Sequence, residues 1–292
     1  MCDDNTVSEN QQYLRASASL SRRQFGAFTA SAALMAILPT QANAVAVMET
    51  DVRVSTPDGS ADCYFVHPAK GAHAAVVVWP DVLGLRPSFR LMGKRLAESG
   101  YAVLVVNPYY RGAVSPVVGE GASFQDEATR DIVLPLARSL SAETNVTDAK
   151  AFVAFLDAQA AVDTARGIGT MGYCMGGPMT LRTAAALPGR VRAGASFHGG
   201  RLVVEDASSP HLLIPKMNAA FLIAIAANDD EREPETKNVL REAFGATDLS
   251  AEIEVYDGAM HGWCPPDSRV YNEVQAEKAW TRLLNLFATE LA

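Results

Sequence analysis

The sequence predicts an α/β fold: a doubly wound, mostly parallel sheet opened by an antiparallel hairpin. Three observations carry this. Short, wholly apolar runs recur between segments of helical length, the pattern of strands buried on both faces. Two alternating segments flank Asp58-Gly59, a tight-turn dipeptide. Residues 45–292 contain no linker, repeat or low-complexity stretch, so they read as a single domain.

The elements follow in order. Residues 50–56 and 61–67 alternate apolar and polar and form the hairpin. Residues 75–79, 102–106, 167–172, 193–197, 221–226 and 253–256 are the buried parallel strands. Helices are expected over 88–99, 147–163, 177–187, 234–245 and 270–290. Ser88 and Thr147 are candidate N-caps, because a side-chain oxygen satisfies an otherwise unpaired helix amide. Gly100 and Gly189 stand where helices stop. In such sheets the reactive groups gather at the carboxyl ends of the strands.

Composition narrows the function. The chain has 292 residues, 49% of them apolar and 20% charged, enough for a large core and incompatible with overall disorder. Its net charge of −8 gives no overall attraction for nucleic acid or anionic lipid, so neither is an expected partner. No apolar run reaches the roughly 18 residues that would span a bilayer, and the mature protein is expected to be soluble.

Residues 1–44 read as an address. A polar, weakly patterned stretch leads to Arg22-Arg23, then to the mildly apolar Gly26–Leu38, then to Ala42-Asn43-Ala44. That order resembles a twin-arginine export signal, with Gly26 and Ala27 where such signals often carry Leu and Lys. The implied partner is the twin-arginine export machinery, and the implied location is the periplasm or the medium after cutting near Ala44. Three acidic and three basic residues cancel in this segment, so the mature chain keeps the full −8. It also keeps Cys63, Cys174 and Cys264, too few for a disulfide scaffold and odd in number, with a Cys63–Cys264 pairing left open.

The most informative local sequence is Gly172-Tyr173-Cys174-Met175-Gly176-Gly177, a strand ending in G-x-C-x-G with a helix directly after it. This is the pattern of a nucleophile elbow with sulfur in place of a hydroxyl. The turn is tight and the nucleophile projects above the sheet, so the residues two before and two after must be small. The helix behind it favours thiolate over thiol.

A base and an acid are expected on later strand ends. Asp229 follows the strand 221–226 in Ala227-Asn228-Asp229-Asp230, with Asp230 the alternative that register cannot separate. His261 lies in Gly258-Ala259-Met260-His261-Gly262 after the strand 253–256. His198 also ends a strand and is expected to line or support the pocket. His261, Cys264 and His198 lack the spacing of a metal set, and no G-x-G-x-x-G or P-loop anchors a nucleotide, so neither metal nor cofactor is expected.

With these residues in place, the chain from about 51 to 291 resembles the dienelactone hydrolases (carboxymethylenebutenolidases), thiol members of the α/β-hydrolase superfamily. The likeness is carried by Val78-Trp79-Pro80-Asp81-Val82-Leu83-Gly84, the elbow, Ser196-Phe197-His198-Gly199-Gly200-Arg201, Ala227-Asn228-Asp229 and Gly258-Ala259-Met260-His261-Gly262. It implies an α/β-hydrolase fold, Cys174 as nucleophile, His261 as base and Asp229, not Asp230, as the acid. It also implies an oxyanion hole from the Met175 and Val82 amides. Asp81 would take the place of a family carboxylate, usually Glu, that contacts the resting thiol and moves when substrate arrives; a carboxylate that only caps loop amides is the plainer reading. Arg111, in Pro108-Tyr109-Tyr110-Arg111, would be the first of two arginines that bind a substrate carboxylate, while Pro265 stands where the second is expected.

The leading expectation is hydrolysis of a small-molecule lactone or ester through a thioester at Cys174. A non-catalytic protein binding a small molecule in the same pocket is the alternative, motivated by Asp81 and Pro265. A redox role for an exposed thiol ranks last, because no second cysteine stands near Cys174 in sequence.

Overall fold

The structure is a computed structural model, described here for residues 4–18 and 44–292. The export signal read from Arg22-Arg23 and Gly26–Leu38 lies outside the described residues. An eight-stranded sheet has the order β1-β2-β4-β3-β5-β6-β7-β8. Its strands are β1 (Val47–Thr56), β2 (Gly59–Pro68), β3 (Ala75–Trp79), β4 (Ala102–Val106), β5 (Ile168–Tyr173), β6 (Val191–Phe197), β7 (Ala220–Ala226) and β8 (Ala251–Tyr256). β1 and β2 pair antiparallel around the Asp58-Gly59 turn, β2 joins β4 antiparallel, and every other pairing is parallel.

Strand alternation builds two of the three core clusters. Val76 and Val78 of β3, with Val103 and Val105 of β4, face α2 (Pro87–Glu98) and the C-terminal helix α8 (Glu273–Glu290). Ala75, Val77 and Trp79, with Ala102, Leu104 and Val106, face α3 (Glu127–Arg138) and α4 (Ala142–Asp157). A third cluster joins β7 to α7 (Thr236–Gly245) and a 3-10 turn at Pro210–Lys216. Cys63 belongs to the second cluster and Cys264 to the first, on opposite faces of the sheet. Both are buried free thiols, which removes the Cys63–Cys264 pairing.

The helices differ from the sequence reading in four places. α4 begins five residues before Thr147, because Ser141 and Thr144 form a reciprocal capping box in which Thr replaces the usual Glu or Gln. α2 starts after Arg86, whose side chain makes no cap bond, with Pro87 in its first turn, and Ser88 is buried inside it. α3, which contains Pro135, has no counterpart in the apolar pattern. Residues Asp4–Ala18, expected to be a weakly patterned tail, form the helix α1.

Candidate active site

Four parallel strands end around one small cavity, lined among others by Asp81 and Val82 after β3, Cys174 after β5, His198 after β6 and His261 after β8. β5 is buried throughout and delivers Cys174 into left-handed backbone, φ 51°, before α5 (Gly176–Ala186) begins. That conformation costs a non-glycine residue roughly 1–3 kcal/mol and persists only where the surroundings impose it. They do so by close approach: a Cβ on Gly172 would collide with the Gly176 carbonyl, and one on Gly176 with the Trp79 carbonyl. The small residues of the elbow are therefore a packing requirement, as their spacing predicts.

Asp229 sits in the short helix α6 (Ala227–Arg232), immediately after β7. Its Oδ2 accepts from His261 Nδ1 at 2.7 Å and its Oδ1 from Arg232 at 2.6 Å. Asp230 turns away to Lys237, 2.6 Å distant. The loop is fixed from behind, because the His261 amide donates to Asn228 Oδ1 at 2.8 Å and the Ala227 amide to the Ala259 carbonyl at 2.9 Å.

The electrostatics couple these groups. Burial alone would push the His261 imidazole down, but Asp229 and the Cys174 sulfur outweigh it and raise the pKa to about 10. Burial raises the Asp229 carboxyl, yet His261 and Arg232 hold it below the ordinary carboxylate range. His198 lies edge-on to His261, ring centres 5.1 Å apart. Burial and the charge on His261 push it down to about 3, so it is neutral at physiological pH. Neither of its ring nitrogens is bonded to another residue.

Asp81 faces the cavity but is anchored: its Oδ1 caps the Leu83 amide at 2.9 Å, and Arg86 grips both oxygens at 2.7 and 3.0 Å. Arg86 in turn reaches Asp267 at 2.6 Å. This favours the loop-capping reading of Asp81 over a freely swinging gate. The Val82 and Met175 amides are free of loop and turn hydrogen bonds, and the Val82 carbonyl and Met175 sulfur both accept from the Tyr109 hydroxyl.

Arg111 requires a correction. It does not line this cavity, but packs behind the hairpin turn, bidentate on Asp148 at 2.7 and 2.8 Å and bonded to Asp58 at 2.6 Å. Two carboxylates already satisfy its guanidinium, which leaves no fork for a substrate. The arginines lining the cavity are Arg86 and Arg269, the latter paired with Asp126.

The sequence reading also missed α1, which lies across the mouth. Thr6, Val7 and Asn10 line the cavity, Asn10 donates to the His261 carbonyl at 3.2 Å, and Glu9 accepts from Asn228 at 2.5 Å. Polar residues at i and i+4 mark one helix face, but sequence alone does not say what that face meets.

The profile of the Dienelactone hydrolase family matches residues 61–291. The chain belongs to the dienelactone hydrolase family. Among its relatives, a carboxymethylenebutenolidase of Rhodococcus opacus is 25% identical over 220 residues, covering 74% of this chain and 81% of the relative. One from Pseudomonas putida is 25% identical over 221 residues, covering 76% and 88%. Two solved structures share the fold. A dienelactone hydrolase-like promiscuous phosphotriesterase, P91, from metagenomic libraries has TM-score 0.69 at 21% identity, with 85% and 100% covered. A dienelactone hydrolase of Anabaena variabilis has TM-score 0.58 at 20% identity, with 84% and 99% covered. The expected α/β-hydrolase architecture and the family's hydrolase character are thereby met.

Proposed function

We propose that this family member hydrolyses a lactone or carboxylic ester through Cys174, His261 and Asp229. The observation that carries the reading is a buried thiol held at an elbow with positive φ beside an imidazole that is itself bonded to a partly buried carboxylate. In the resting site the imidazolium and thiolate form a pair. The sulfur attacks the carbonyl carbon, and the oxygen, now negative, takes hydrogen bonds from the Val82 and Met175 amides. Collapse expels the alcohol oxygen, which takes its proton from His261, and leaves an acyl thioester on Cys174. His261, now neutral, removes a proton from water; the hydroxide attacks the thioester, and the acid leaves as thiolate and imidazolium re-form. Asp229 holds Nδ1 protonated, so that Nε2 faces the reaction.

The test is steady-state hydrolysis of p-nitrophenyl acetate and cis-dienelactone by the folded chain, before and after a cut between α1 and β1, beside Cys174→Ala. Turnover lost in the variant supports the reading. Tight ligand binding without turnover would favour the binding-protein alternative. With Arg111 committed elsewhere and Pro265 in place of the second arginine, neither arm of the expected carboxylate clamp favours an anionic dienelactone over a neutral ester or lactone.

Export through the twin-arginine route belongs to the same proposal. It is supported by Arg22-Arg23, the apolar stretch after them and Ala42-Asn43-Ala44. Arg22→Lys with Arg23→Lys should retain the protein in the cytoplasm; unchanged fractionation would contradict it.

A further inference from the structure

We infer that the mouth of the active site is a binding site for the chain's own helix α1, and that α1 and substrate exclude each other. With α1 in place the cavity around Cys174 and His261 is about 70 Å³. A water takes about 30 Å³ and pockets for small organic ligands run to roughly 300–1,000 Å³, so this space admits a few waters and no ester of useful size.

The contact is specific in its chemistry. Thr6 and Asn10, one turn apart, are 2% and 7% exposed, unusually deep burial for polar residues on a helix this polar. Each meets a partner that also supports the triad. The Asn10 amide donates to the carbonyl of His261 itself. Glu9 accepts from Asn228, whose Oδ1 holds the His261 amide, and lies 4.0 Å from Arg232. Arg232 donates to Thr6 at 3.2 Å while gripping Asp229. Val7, between Thr6 and Asn10 in the helix, lines the cavity as well.

Energetics favour the closed arrangement only while the chain is intact. Residues 19–46 join α1 to β1 in one chain, and covalently joined partners reach effective concentrations on the order of millimolar when the join spans the two sites. Three or four polar contacts and one valine need supply only a dissociation constant near 0.1 mM to keep the mouth mostly covered. Once the tether is cut, the same helix is diluted to the protein concentration and leaves. A cut near Ala44, as the export reading expects, would thus convert a closed enzyme into an open one.

A protease site placed between residues 30 and 31 tests this in the folded full-length chain. Before and after cutting at about 1 μM, one follows p-nitrophenyl acetate hydrolysis and the rate at which iodoacetamide labels Cys174, assigned by peptide mass. The inference predicts a rise of at least tenfold in labelling on cutting, reversed by a millimolar peptide of residues 4–18. It also predicts a smaller rise in the uncut Glu9→Lys variant, where a cation meets Arg232. Equal or slower labelling after the cut would overturn it and make α1 a wall of the working pocket. The ester readout rests on the hydrolase reading, whereas thiol labelling does not. Faster labelling without turnover would uphold the helix's role and sink the hydrolysis.

Discussion

The Nδ1 atom of His261 donates to Oδ2 of Asp229 across 2.7 Å, bridging the loop after β8 and the short helix α6 after β7. Two adjacent aspartates stand at this strand end, and only one faces the imidazole. Asp229→Asn should lower kcat by about 10²–10⁴-fold, because the amide can present its N–H and favour the wrong tautomer. Asp230→Asn should change kcat less than twofold, since Asp230 serves Lys237. Comparable losses in both variants would refute the assignment.

Arg111 gives the opposite test. Arg111→Ala should leave KM for anionic and neutral esters in the same ratio as the parent enzyme, because the guanidinium is spent on Asp58 and Asp148. It should instead cost about 1–3 kcal/mol in urea unfolding, the usual penalty for leaving a buried acceptor unpaired. A selective rise in KM for anionic esters would restore the substrate clamp.

The pair Asp81–Arg86 predicts a larger stability effect. Their side chains are 12% and 6% exposed, so Arg86→Met would strand a buried carboxylate beside the cavity. Breaking such a pair from one side costs about 3–5 kcal/mol. Denaturant unfolding of Arg86→Met, alone and with Asp81→Asn, checks this; the second substitution should recover part of the loss.

His198 sets an acid limit. Its folded pKa is near 3, whereas an exposed imidazole titrates near 6.5. Between these values the unfolded chain takes up a proton that the folded chain refuses, so stability falls as pH drops from about 6.5 towards 3. Above pH 6.5 both states are neutral at this group and it contributes no pH dependence. His198→Phe should therefore lose less stability between pH 7 and pH 4.5 than the parent, measured by urea unfolding at both values. Parallel losses would show that His198 is not the group responsible.

Much of the sheet is legible because its strands are buried on both faces: runs such as Val76-Val-Val78 or Phe221–Ala226 have no competing helical period. The elbow is legible for a steric reason, since only glycine tolerates the approach at Gly172 and Gly176. Helix starts were harder to read. Thr147 looks like a cap in isolation, but Ser141 and Thr144 satisfy each other one turn and a half earlier. What stays hidden is pairing over distance. Arg86 and Asp267 are 181 positions apart, and Asn10 and His261 are 251 apart. No local pattern records such contacts, so neither the anchoring of Asp81 nor the seat of α1 follows from spacing. The setting of Arg111 is hidden for the same reason: its local motif matches the family, while Asp58 and Asp148, which claim it, lie far away in sequence.

Covalent catalysis at Cys174 is open to intact-mass analysis of the cut, folded enzyme during p-nitrophenyl acetate turnover. An adduct of one acetyl group, mapped to Cys174, should decay at the steady-state rate, build up when His261 is replaced by Ala in enzyme acylated by an activated thioester, and be absent in Cys174→Ala. Unimpaired turnover by Cys174→Ala, or an acetyl group carried on a different residue, would contradict it.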